Sequence, residues 1–193
     1  MLLGEGLFLV MCGLIKKVVI SDYISVNFVD RIFDNPMLYT GFENLMGVYG
    51  YTLQIYCDFS GYSDMAIGLG RMLGFRFNEN FDYPYLAASV TEFWRRWHIS
   101  LTTWFREYLY IPLGGSRCSK ARKDGNLIIT FLVSGLWHGA GLTYLVWGGL
   151  HGLCQAAENH LPPRRPGKLR HALRVAGTFC VLAGAFVVVR ASS

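Results

Sequence analysis

"GNLIITFLVSGLWHGAGLTYLVWGGLHGLCQAA", residues 125–157, contains no Asp, Glu, Lys or Arg. A stretch this apolar belongs in a bilayer, where spanning takes roughly 20 mostly apolar residues. Both of its flanks are basic, "RCSKARK" at 117–123 and "RRPGKLRHALR" at 164–174. Short basic loops stay on the cytoplasmic side of a membrane, so a single crossing would strand one of them. The stretch is also too short for two full spans. Two short or tilted helices meeting near Gly139-Ala140-Gly141 reconcile these facts. Non-helical backbone at that depth is tolerated only where protein buries it or a water-filled cavity solvates it. That puts His138 at the lining of a cavity within the membrane.

The whole chain has the same character. Apolar residues make up 52% of it and charged residues 16%, against roughly a quarter charged in soluble domains. The expected fold is all-α: a polytopic membrane protein with short interfacial and re-entrant helices, residues 1–193 forming a single membrane-embedded domain. Gly6–Ile15 is too short to span and continues into Val18–Ile20 as a tilted or interfacial helix. The charges and proline of Phe28–Tyr39 mark a loop or short amphipathic piece. Asp58 and Asp64 interrupt the apolar run that ends at Phe75. At that depth they must face a bundle interior or water, and Asp58 is read as pairing with a basic or hydroxyl group. Val175–Val189 is a final apolar run, and Pro162-Pro163 the clearest loop. The opening "MLLGEGLFLVMCGLIKK" places its lysines after the apolar residues, unlike a signal peptide.

The net charge of +5 collects in the two basic loops, which orient a membrane protein rather than bind nucleic acid. The cysteines at 12, 57, 118, 154 and 180 show neither metal-ligand spacing nor a disulfide framework, so they read as reduced packing residues, and no metal site is expected.

A second stretch, "FWRRWHISLTTWFREYLYIPLGG" at 93–115, mixes aromatic and charged residues. Ser89-Val-Thr-Glu92 fits a capping box, and Pro112 stops a helix soon after Tyr110. On that helix Trp94, Trp97, His98, Leu101, Phe105 and Tyr108 share one face. The wheel alone therefore favours a packing role for His98. Arg95 and Arg96, on the opposite face, suit lipid headgroups or an anionic ligand. Thr130, Ser134 and His138 recur at i, i+4, i+8, and the glycines at 135, 139 and 141 leave room beside the ring for a substrate or another helix. An ionisable residue inside a membrane is a functional candidate by default. His151 falls away from His138 on the wheel and reads as packing.

The chain has no Gly-x-Ser-x-Gly elbow, no His-Glu-x-x-His and no Walker loop. General base catalysis remains: a neutral imidazole takes the proton of a hydroxyl as it attacks an activated acyl carbonyl.

"GLIKKVVISD" (13–22), "YCDFSGYSDMAIGLGRMLGF" (56–75), "NENFDYPYLAASVTEFWRRWHISLTTWFREYLYIPLGGSR" (78–117) and "FLVSGLWHGAGLTYLVWGGLHG" (131–152) closely resemble the membrane-bound O-acyltransferase (MBOAT) family, in its alginate O-acetylation branch. The resemblance implies a partial ring of helices around a tunnel, in a multi-pass protein of the bacterial inner membrane. It implies His138 as the essential catalytic residue and His98 as its partner. Arg95, Arg96, Ser134 and Trp137 are expected as substrate contacts. The implied donor is acetyl-CoA or another acyl thioester, used as substrate with no bound cofactor. Periplasmic acetyltransferase partner proteins would pass the acetyl to an exopolysaccharide such as alginate. Family members are longer, which implies that 1–193 is the central part of a larger acyltransferase. The rival readings are a transporter or channel-like module with proton-relay histidines, and an inactive truncated remnant.

Overall fold

A computed structural model of the chain describes residues 2–161 and 167–190, so the expected Pro162-Pro163 loop lies outside the described residues. Helices make up most of the described structure, gathered into two compact units, residues 1–80 and 81–193.

In the first unit, α1 (Leu2–Leu14) winds on through wide π turns at Ile15–Asp22 and Ser25–Val29 into α2 (Asp30–Asp34). Residues 28–34, expected as a loop or short piece, thus extend a continuous helix. Thr40 opens α3 (Gly41–Met72) with a full capping box: its Oγ1 accepts from Glu43 N, and Glu43 Oε2 accepts from Thr40 N at 2.8 Å. Glycines let α1 and α3 touch. A Cβ on Gly6 would lie 2.6 Å from Gly68 O, and one on Gly13 2.5 Å from Gly61 O. Such backbone contact between small residues is how helices associate in lipid, where no hydrophobic force draws them together. The same seam resolves the two carboxylates. Lys16 Nζ meets Asp64 Oδ2 at 2.7 Å, and Lys17 pairs with Asp58. Outside the seam Leu7, Phe8 and Met11 are exposed, an apolar surface suited to lipid rather than water.

The second unit contains α4 (Val90–Arg96), α5 (Ile99–Phe105), α6 (Lys120–His138), α7 (Leu142–Glu158) and α8 (Lys168–Arg190). The hairpin read from the sequence is present, with its turn at 139–141. Its legs are longer than the uncharged stretch suggests, because α6 starts at Lys120, where Ser119 caps Arg122 N. At 1.5 Å per residue the two legs run about 28 and 26 Å, close to the thickness of a bilayer core. The chain leaves α7 where α6 began, and Lys123 Nζ donates to Asn159 Oδ1 at 2.7 Å. The second basic stretch, expected as a loop through 174, is helical from Lys168 onward. Among the described residues, Lys168–Arg190 is the helix long and apolar enough to cross a membrane outright.

Glycines again make the contact between α6 and α7. A Cβ on Gly148 would lie 2.2 Å from Phe131 O, and one on Gly152 2.9 Å from Ile128 Cα, whereas one on Gly177 of α8 would meet nothing within 4 Å. Gly148→Leu is therefore expected to abolish accumulation of folded protein in the membrane. Gly177→Ala should leave abundance unchanged and raise stability by about 0.5–1 kcal/mol, the ordinary gain of alanine over glycine inside a helix. Thermal unfolding in detergent separates the two.

Candidate functional site

The N-terminus of α4 is satisfied by groups from two places. Ser89 Oγ accepts from Glu92 N at 3.0 Å, and Glu92 Oε2 reaches Ala88 N at 2.9 Å. Glu158, the last residue of α7, accepts from Val90 N and Thr91 N at 2.7 and 2.9 Å. One carboxylate thus fills two of the orphan donors of a helix start and ties α4 to α7.

The single helix expected from Ser89 to Tyr110 is broken in the middle. Trp97 is extended (φ −112°, ψ 128°) and His98 left-handed (φ 45°, ψ 54°) before α5 begins. Trp97 forms an isolated antiparallel bridge with Phe81, their rings meeting edge to face at 4.9 Å, and Asp82 N donates to Arg96 O at 3.0 Å. These contacts outweigh the modest helix propensity of the segment. Left-handed backbone in a residue other than glycine is strained and collects at functional positions. The expected end near Tyr110 holds: a π turn over Arg106–Tyr110 precedes Pro112.

On α6, Asn126, Thr130 and Ser134 form a buried polar stripe that ends at His138. Thr130 Oγ1 donates to Asn126 O at 2.7 Å. The space left by Gly135 and Gly139 belongs to α7 rather than to a substrate, since a Cβ on either would lie 2.3 Å from Tyr144. His138 is exposed at the helix end, edge-on to Trp137 (centroids 4.9 Å apart) and to Trp147 (5.2 Å). His98, on the turn outside the hairpin, is half-buried. Burial first, and the nearby His138 second, push its pKa down to about 4. The two histidines singled out in the sequence therefore come within electrostatic reach of each other.

A cavity of about 920 Å³ opens beside them, with Arg95, Arg106, Arg117 and Lys123 contributing cations and Ser134 and Gln155 polar wall. Gln155 is buried, and its Nε2 has no acceptor among the described residues. Arg95 and Ser134 both line this cavity. Arg96 instead turns to Glu92, its Nη2 donating at 2.7 Å, and does not line the cavity. Trp137 is 59% exposed and lies outside the lining residues, as do His98 and His138.

Trp94, placed on the buried face by the sequence, and His151, read as packing, are both buried, and Trp147 between them in the chain was not singled out. His151 is 1% exposed, and its Nδ1 accepts from Trp94 Nε1 at 3.2 Å. Trp147 is in ring contact with both His151, at 4.9 Å, and His138, at 5.2 Å. Trp147, His151 and Gln155 recur at i, i+4, i+8, the same signal that flagged the stripe on α6.

Comparison with known proteins gives one answer. Residues 3–180 match the family model of MBOAT, the membrane-bound O-acyltransferase family. Over 192 residues, 98% of this chain, it is 49% identical to a probable alginate O-acetylase AlgI of Pseudomonas fluorescens and 48% identical to that of Pseudomonas aeruginosa. It is 47% identical over 148 residues, 77% of the chain, to a peptidoglycan O-acetyltransferase of Helicobacter pylori. These alignments cover 38%, 36% and 28% of the relatives, so the chain spans well under half of their length.

The turn at His98 yields a pH test. Its folded pKa, about 4, lies below the ordinary 6.5. The fold thus favours the neutral ring, and the stability this brings is complete above pH 6.5 and lost as pH falls toward 4. His98→Asn tolerates left-handed backbone but does not titrate. Between pH 7 and pH 5 the melting temperature of the wild type should fall further than that of His98→Asn; parallel falls would contradict this.

Proposed function

The chain belongs to the membrane-bound O-acyltransferase family, and from that premise we propose that it carries the catalytic segment of an acetyltransferase acting on a hydroxyl acceptor. His138 is the general base. It takes the proton of the acceptor hydroxyl as that oxygen bonds to the acyl carbon of a thioester. The carbon–sulfur bond breaks, and the departing thiolate takes the proton back from the imidazolium. No electrons change hands and no cofactor is consumed. His98 keeps the neighbouring environment uncharged and shares in orienting the base.

The observation that carries this reading is that His98, on the turn before α5, and His138, at the end of α6, lie within electrostatic reach of each other, near a cation-bearing cavity that neither lines. A neutral imidazole pair suits proton transfer. Arg95, Arg106, Arg117 and Lys123 suit a donor bearing phosphates, such as acetyl-CoA or a carrier-bound thioester. The names of the relatives, alginate O-acetylase and peptidoglycan O-acetyltransferase, support acetyl as the group and a sugar hydroxyl of an extracellular polymer as its destination. On this reading the protein lies in the bacterial inner membrane. It takes the donor from the cytoplasm, and periplasmic acetyltransferase partners complete delivery to an exopolysaccharide such as alginate.

His138→Ala in the intact protein is expected to abolish acetylation of the polymer at normal membrane abundance. Acetylation at the wild-type level would remove the proposed function. Arg95→Ala should weaken the use of acetyl-CoA by about tenfold or more, the scale of one charge-assisted contact. Ester analysis of isolated polymer and a donor titration in membrane vesicles check the two.

A further inference from the structure

His151 is the most deeply buried histidine described, and the proposed chemistry does not use it. Trp94 Nε1 is a donor only, so the His151 Nδ1 that receives it is an acceptor, and the neutral ring carries its hydrogen on Nε2. That Nε2–H has no acceptor among the described residues. An unmet buried donor costs on the order of 1–3 kcal/mol. A leucine or phenylalanine would fill similar space without that penalty, so packing alone does not account for an imidazole here.

Three aromatic rings surround it. Trp94 stands at 90° with centroids 5.2 Å apart, Trp147 at 69° and 4.9 Å, and Phe131 at 32° and 6.2 Å. Trp147 also meets His138, at 82° and 5.2 Å. Trp94, His151, Trp147 and His138 thus form a continuous row of rings. Both ends of the row are anchored. Glu158 holds the start of α4 and with it Trp94, and the glycine contacts of α6 with α7 fix the height of Trp147 relative to His138.

We propose that His151 is a positioning residue: bonded to Trp94, it holds the Trp147 indole as the wall that orients the His138 ring. This rests on the proposed role of His138. The hydrogen bond sets the rotation of the His151 ring, and the ring in turn blocks the rotation of Trp147 that would release His138. His151 touches no substrate in this arrangement. Misplacing a reacting group by about 1 Å is enough to cost about 100-fold in rate.

The test uses the intact protein in membranes, with Trp94→Phe, His151→Leu and His151→Asn. Trp94→Phe removes the donor and keeps a ring. His151→Leu removes the acceptor. His151→Asn restores an acceptor close to the Nδ1 position. The first readout is the rate at which diethyl pyrocarbonate modifies His138, followed by mass spectrometry across a pH series. The second is polymer acetylation, normalised to abundance. Trp94→Phe and His151→Leu are expected to change the His138 modification rate by about threefold or more and to lower acetylation by about tenfold or more, with His151→Asn returning both toward wild type. Where His151→Leu lowers abundance, Trp94→Phe decides. An unchanged modification rate in Trp94→Phe overturns the positioning role, whether or not acetylation falls. Retained acetylation in His138→Ala would instead overturn the proposed function, while the modification rate still judges the row of rings.

Discussion

Where α6 crosses α7, no side chain separates the two backbones. The closest approach, at Gly148 against Phe131 O, leaves no room even for a methyl group, and Gly135 meets Tyr144 O in the same way one turn on. This contact sets the height of one helix on the other. That height puts Trp147 beside His138 rather than a turn above or below it. In lipid, where hydrophobic association is weak, close backbone packing of this kind supplies the rigidity that a soluble core would.

The polar groups of the chain follow one rule, which is that a polar atom taken out of water is given a partner. Lys16 and Asp64 pair along the α1–α3 seam, and Glu158 meets two amides at the start of α4. Among the described residues, three buried donors that break this rule share one face of α7, at Trp147, His151 and Gln155. They lie next to the strained turn at His98 and beside the cation-lined cavity. Strain and unmet polarity are costs a fold sheds where it can, and here both are kept in the same neighbourhood as His138.

Much of this was legible from residue order. The uncharged run with basic flanks implied a hairpin turning at 139–141. Ser89 marked the start of α4, and Asp58 needed a partner that proved to be Lys17. The break at Trp97–His98 was not legible, because residues 90–110 contain neither glycine nor proline and the kink comes from Phe81, distant in sequence. His151, read as packing and pointing away from His138, is indeed buried and does not meet that ring directly. What a helical wheel carried through Gly139–Gly141 does not show is that Trp147 contacts both rings, because the turn resets the phase. The glycines around His138 were rightly read as making room, but Tyr144 fills it. Family likeness, not periodicity, pointed to His98. Its left-handed backbone has no local signature.

The account stands or falls on the hairpin that holds His138 at its turn, and sidedness measures that most directly. In the intact protein stripped of its native cysteines, single cysteines at Lys120 and Leu161 would be treated with a membrane-impermeant maleimide from one face of the membrane and then the other. The two are predicted to react from the same face, with a cysteine at Ala140 protected from that face. Labelling of 120 and 161 from opposite faces would contradict the hairpin, and with it the site.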